Sequence, residues 1–338
     1  MHPLLLSPLL LLLLSLLAIP LLHLTSHLLR TRTPSFLARL LSSYLCLLLC
    51  ATYGVLAALL LRLTSHHLST QHTVARAFKY SMLLLTGVRF DVVAGGPHLA
   101  TRPAVFIANH QSELDVLLLG AVFPPHCAVT AKKSLARVPF LGWFMRLSGT
   151  VFVDRADRAR AVKAFDGAAG EMRRRGQSVF IFPEGTRSYV TEPGLLGFKK
   201  GAFHLAVQAQ VEVVPVVAAV YAGVMSVRER RFEAGRIPVK VLAPISTKGL
   251  TSADVDDLAR TTRDLMLREL QLLSQTPAGQ AVQYPKQPAS SSPQSRSANY
   301  KPAAEPRKVG LSNGNSALQA GGAATTSGAD AGKVRDAL

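Results

Sequence analysis

The chain has 338 residues, 49% of them hydrophobic, enough to bury one sizeable core and leave segments outside it. Its formal net charge of +18 suits an anionic partner, but no block is a dense Lys/Arg run of the kind that grips a nucleic acid backbone, so nucleic acid is not expected as a partner. Three cysteines, Cys46, Cys50 and Cys127, lack metal-ligand spacing and argue against a disulfide or zinc framework; no metal site is expected.

The amino-terminal part reads as membrane. Residues 1–84 carry six Lys/Arg and no acid, the first being Asp91. The uncharged run Pro3–Leu29 exceeds the roughly 20 apolar residues that match a hydrocarbon core, and a second run covers Leu40–Leu61. A signal peptide is the competing reading of the first run, but "MHP" lacks a basic n-region and the run is longer than an h-region. Arginines both separate and follow the runs, so the positive-inside rule gives no clean orientation: two spans, or a hairpin in one leaflet, both remain open. We therefore expect a membrane anchor over residues 1–65 and a linker or helix over 66–87. His66, His67 and His72 fall there in a polar segment, read as a solvated linker rather than a metal site.

From residue 88 to 275, strand-like runs alternate with amphipathic stretches. Strands are expected near Val88–Val93, Ala104–Ala108, Ala128–Ala131, Thr150–Val153, Ser178–Phe182, Val213–Ala218 and Val239–Leu242. Helices are expected near Asp115–Phe123, Ser134–Leu147, Arg158–Arg175, Lys199–Gln210 and Ala253–Gln275. The alternation implies an α/β domain with a largely parallel sheet flanked by helices. Residues 276–338 turn to Pro, Gly, Ala, Ser and Thr, a composition expected to be disordered.

Two segments stand where strands should end and ligands collect, "IANHQSELD" and "IFPEGTRS". In the first, Ser112 and Asp115 fit a helix-capping box. Asp115 in the first turn also suits a partner for His110, fixing its tautomer and stabilising the imidazolium formed when it takes a proton, provided that His110 lies in the loop before the helix. In the second, a plain turn would need Pro and Gly but not Glu184 and Arg187 beside them, and the backbone amides around Gly185 suit an anion. His204 in "GAFHLA" reads as a packed core histidine. Asp154 suits a surface pair with Arg158 or Arg160. Arg173, Arg174 and Arg175 favour a helix C-terminus or anionic lipid. Lys199 and Lys200 are either phosphate contacts or a solvated face.

Together "NHQSELD" and "FPEGTRS", with "TAKKSLARVPFLGWFMRLSGTVFVDR", "FKKGAFHLA" and "VVPVV" in order, resemble the glycerolipid acyltransferase family over roughly Val88–Thr247. The likeness is to its lysophosphatidic acid acyltransferases, and to their eukaryotic microsomal branch, fungal members included. It implies transfer of an acyl group from acyl-CoA, a co-substrate, to the 2-hydroxyl of 1-acylglycerol 3-phosphate, giving phosphatidic acid. It implies His110 as general base with Asp115 as its partner. Arg155 in "FVDR" and Glu184, Gly185, Thr186 and Arg187 in "FPEGTR" would bind the glycerol phosphate, with Lys132 or Lys133 adding positive charge. It further implies a phospholipid membrane at the endoplasmic reticulum with the catalytic domain facing the cytosol, no cofactor and no obligate protein partner. The chemistry agrees: an alcohol needs a positioned base, the thioester is already activated, and a phosphate monoester calls for Arg forks. A glycerol-3-phosphate or lysophospholipid acceptor is the alternative within the family. Outside it stand a serine hydrolase using Ser112 or Ser188, disfavoured by the lack of a G-x-S-x-G elbow, and a lipid-binding tether.

Overall fold

A computed structural model describes residues 3–64, 66–154 and 156–275. The chain opens with two helices, α1 (Pro3–Leu29) and α2 (Arg32–Leu63), joined by a two-residue turn. Among the described residues one helix, α2, is long and apolar enough to cross a membrane. It does not stand apart from the sheet. Phe36, Cys46 and Cys50 of α2 are buried in the same hydrophobic cluster as several of the strands.

The segment expected as a linker or helix is a 17-residue helix, α3 (Thr70–Thr86), closed by the left-handed Gly87, and His72, read as solvated, is half-buried in it. Its polar residues face buried partners. Gln71 donates to Ser148 and Thr150 and accepts from the Val129 amide, while the His72 Nδ1 bonds the Phe123 carbonyl at 2.8 Å. Burial lowers the pKa of that imidazole, the carbonyl bond opposing the shift.

Seven strands form the central sheet: β1 (Val88–Ala94), β2 (Ala104–Ala108), β3 (Cys127–Lys132), β4 (Val151–Val153), β5 (Ser178–Ile181), β6 (Glu212–Ala218) and, after a short hairpin of β7 (Met225–Ser226) with β8 (Arg231–Phe232), β9 (Gly235–Val241). Their order is β1-β9-β6-β2-β5-β3-β4, parallel at every pairing except β6 with β9. The alternation in the sequence thus yields the largely parallel sheet it implied. β9 begins earlier than its apolar residues suggest, because pairing with β1 from Val88–Gly235 onward carries it through Arg236 and Pro238.

The helices α4 (Asp115–Val122), α5 (Leu141–Leu147), α6 (Arg158–Arg175), α7 (Gly201–Ala209) and α8 (Val255–Ser274) fill the rest. The stretch Ser134–Leu147 is not one helix. Pro139 holds Val138 extended and splits it into a 3-10 turn, Lys133–Arg137, and α5. The fully buried β2 alternates between two cores. Ala104, Phe106 and Ala108 pack with α3 and α4, and Val105 and Ile107 with α6, α7 and α8.

β2 leads through α4 on one face of the sheet towards β3, while its neighbour β5 leads through α7 on the other face to β6. The connections diverge between β2 and β5, which makes a crevice at their carboxyl ends. Both singled-out motifs lie there.

Candidate active site

His110 sits two residues beyond β2, in the loop before α4. Its Nδ1 lies 2.7 Å from Oδ2 of Asp115. The same oxygen accepts the amides of Gln111 (2.6 Å) and Ser112 (3.1 Å), and Oδ1 accepts the Tyr221 hydroxyl at 2.8 Å. Asp115 therefore holds the loop as well as the histidine; the expected capping box does not form, because α4 starts at Asp115 itself, with Leu114 at its N-cap and no side-chain cap bond. The Ser112 hydroxyl accepts from the Leu114 amide and donates to Tyr221, not to His110. A carboxylate only accepts, so Nδ1 carries the hydrogen, and in the neutral imidazole the lone pair is left on Nε2. The imidazole stacks on Phe182 with centroids 4.4 Å apart, and its side chain is 16% exposed.

The loop is held by β6 and by the second motif. Asn109 exchanges two hydrogen bonds with the Ala218 backbone, and the Gln111 side-chain Nε2 donates to the Ala218 and Ala219 carbonyls. From the other side Glu184, buried, accepts the His110 amide at 2.6 Å and the Leu196 amide at 2.9 Å. Burial raises its pKa, against the pull of those two amides. Ser188 and Tyr189 donate their amides to the carbonyls of His110 and Gln111, stitching the motifs together. Gly185 adopts φ +73° in the turn, where its amide donates to Phe182 rather than standing open to an anion.

A cavity of about 550 Å³ opens beside His110. Its apolar wall comes from α2 (Leu47, Cys50, Ala51), α3, α4 and α5, with Phe144 and Met145 from the last. Near the histidine it becomes polar, through Lys132, Thr186, Arg187 and Tyr189. Arg187 donates to Glu113 at 2.8 Å, and the Tyr189 hydroxyl donates to the same oxygen at 2.8 Å. Partial burial opposes its charge, but Tyr189 and Glu113 raise the guanidinium pKa above its ordinary value. Lys132 makes no ion pair among the described residues.

Of the residues singled out in the sequence, His110, Asp115, Lys132, Thr186 and Arg187 thus converge on one cavity. Glu184 and Gly185 lie behind it, and Lys133 turns away to Asp154 at 3.4 Å. Arg155 lies outside the described residues, as does the tail from 276. His204 is not a core histidine; α7 presents it to solvent. Lys200 pairs with Asp256 at 2.7 Å, Asp154 with Arg160 at 3.3 Å, and Arg173 donates to the Gln208 carbonyl. Sequence reasoning missed Tyr221 and Tyr189 and left Glu113 without a role. Nothing local marks Tyr221, 106 residues from Asp115, whereas Glu113 and Tyr189 stood inside or beside the two motifs.

Residues 92–219 match the family model described as Acyltransferase. The 1-acyl-sn-glycerol-3-phosphate acyltransferase of Saccharomyces cerevisiae is 44% identical over 229 residues, 68% of this chain and 75% of that protein. The alpha form from Mus musculus is 41% identical over 184 residues, 54% of this chain and 64% of that protein. The crystal structure of the 1-acyl-sn-glycerophosphate acyltransferase from Thermotoga maritima shares the fold, with a TM-score of 0.59 at 24% identity, covering 72% of this chain and 98% of that one. The sheet, the paired motifs and these matches define an acyltransferase. Within that class, the chain belongs to the 1-acyl-sn-glycerol-3-phosphate acyltransferase family.

Proposed function

We propose that the protein transfers a fatty acyl group from acyl-CoA to the 2-hydroxyl of 1-acylglycerol 3-phosphate, with His110 as general base. The observation that carries this reading is the Asp115-oriented imidazole at the junction of an apolar cavity and a cationic rim. Nε2 accepts the hydroxyl proton as the oxygen attacks the thioester carbonyl, while Asp115 stabilises the imidazolium. The tetrahedral adduct then collapses, the C–S bond breaks, and the CoA thiolate takes the proton from the imidazolium. The reading needs neither a metal nor a protein nucleophile, because the thioester is already activated. The apolar wall suits an acyl chain, and the volume is within the roughly 300–1,000 Å³ usual for small-molecule sites. Arg187 and Lys132 suit the phosphate. Glu184 acts as a positioning residue through the His110 amide, in place of the phosphate contact implied by resemblance. Residues 1–64 hold the site at a membrane surface, which we take to be the endoplasmic reticulum with the site on the cytosolic side.

The test is an acceptor panel with purified, detergent-solubilised protein, varying acceptor and acyl-CoA separately. His110→Ala should abolish transfer while the protein stays folded. Arg187→Lys keeps the charge but loses the planar fork, so kcat/KM for the phosphate acceptor should fall about ten- to a hundredfold. A loss confined to the acyl-CoA dependence would move Arg187 to the donor.

A further inference from the structure

A second cavity, of about 240 Å³, lies between the α1–α2 turn and the β7–β8 hairpin, remote in sequence from both motifs. Four arginines line it, Arg30, Arg32, Arg230 and Arg231, against a single carboxylate, Glu233. The hydroxyl residues Ser26, Thr31 and Ser35 complete the wall. Two bonds fix the geometry of the cavity. Ser26 Oγ donates to the Thr31 carbonyl at 2.6 Å, tightening the turn, and Arg39 Nη1 donates to the Phe232 carbonyl at 3.0 Å, tying the hairpin to α2.

Arg231 is already partly engaged. Its Nη2 pairs with Glu229 at 2.7 Å, yet its Nε is buried with no hydrogen-bond partner. A donor closed off from solvent does not face a ligand in the cavity, so an anion would be met by the solvent-exposed Arg30, Arg32 and Arg230. Arg30, Arg32 and Arg230 make no ion pair among the described residues. The first turn of α2 carries no acidic residue, and Thr31 makes no side-chain cap bond, so the positive end of a 32-residue helix adds to the same field.

We propose that this pocket binds a phosphate group, supplied by an anionic phospholipid headgroup or by a free phosphate. Guanidinium forks match phosphate oxygens, and the Thr31 and Ser35 hydroxyls beside them supply further donors. The surroundings favour the lipid source. Where α1 ends beside the pocket it exposes Leu21, Leu24, Leu28 and Leu29, an apolar surface along which acyl chains can lie below a headgroup held at the turn. The site is separate from the acyl-transfer centre and does not depend on that assignment.

The experiment is native mass spectrometry of the full chain, purified in detergent and mixed with equimolar phosphatidylglycerol and phosphatidylcholine. A parallel thermal melt is run with and without inorganic phosphate. The wild type should retain phosphatidylglycerol in at least tenfold preference, and the Arg230→Gln/Arg231→Gln variant should lose one bound equivalent. Lipid held at the acyl-transfer site would remain in that variant. Stabilisation by inorganic phosphate, absent from the variant and without selective lipid retention, would assign the site to free phosphate. Arg32→Gln, at an exposed position, repeats the comparison should the double variant fail to fold. Equal lipid retention and equal phosphate response in wild type and variants overturn the proposal.

Discussion

Asp115 accepts four hydrogen bonds, more than any single role would require. Asp115→Asn places an amide where only acceptors are tolerated, so besides slowing transfer it should destabilise the fold by about 3 kcal/mol. Denaturant melts alongside kinetics separate the two effects. Tyr221, whose phenol is pushed well above its ordinary pKa by burial and by Asp115, remains a neutral donor. Tyr221→Phe removes that donor and should cost about 1–3 kcal/mol, with kcat falling more than KM rises. Glu184 has a pH signature. Its folded pKa lies above the ordinary 4.5, so the folded state keeps a proton that the unfolded chain releases. Stability from this group is therefore present below 4.5 and declines as pH rises through the window between 4.5 and the raised value. Melts across that window should show the decline in the wild type and a flatter profile in Glu184→Gln.

Among the elements, α2 and α5 meet at Gly54, where an added Cβ would lie 2.5 Å from Phe144 Cδ2. Phe144 also lines the apolar cavity. Gly54→Leu should drive that ring inward and shorten the accessible channel. The longest acyl-CoA donors should then lose roughly tenfold in kcat/KM relative to short ones, the scale of one or two methylenes in an apolar pocket. A donor-length series checks it, and an unchanged profile would place the acyl chain elsewhere. A similar approach occurs at Gly120, whose Cβ would meet the Lys79 Cβ at 2.8 Å and the Ala75 carbonyl at 2.9 Å. This close contact is how α3, expected from sequence as a linker or helix, becomes a packed wall. The cue was weak, since its polar residues Gln71 and His72 bond backbone groups that no local pattern announces.

For the whole molecule, the two ends of the chain should behave differently. Ser274 Oγ accepts the Val220 amide at 3.1 Å, so truncation after Gln275 keeps that contact and should leave specific activity within a few-fold of the full chain. Deleting residues 1–64 removes Phe36, Cys46 and Cys50 from the core and Leu47 and Ala51 from the cavity wall. It should therefore unfold or inactivate the protein even towards acceptor presented in micelles. A stable, active fragment in a thermal melt and assay would show that α2 is only a tether. The sequence by itself determined the α/β alternation, the apolar helices and the two polar motifs, because periodicity and turn residues are local signals. It also offered His110 and Asp115, five positions apart, as a candidate pair, which the structure brings to 2.7 Å. Only the tertiary structure decided that Tyr221 completes that pair, that Glu184 turns inward to the His110 amide, and that α2 and α3 wall the cavity. Each of these depends on crossovers that bring distant strand ends together, and burial there selects partners by the geometry of the packed sheet rather than by neighbours in the chain.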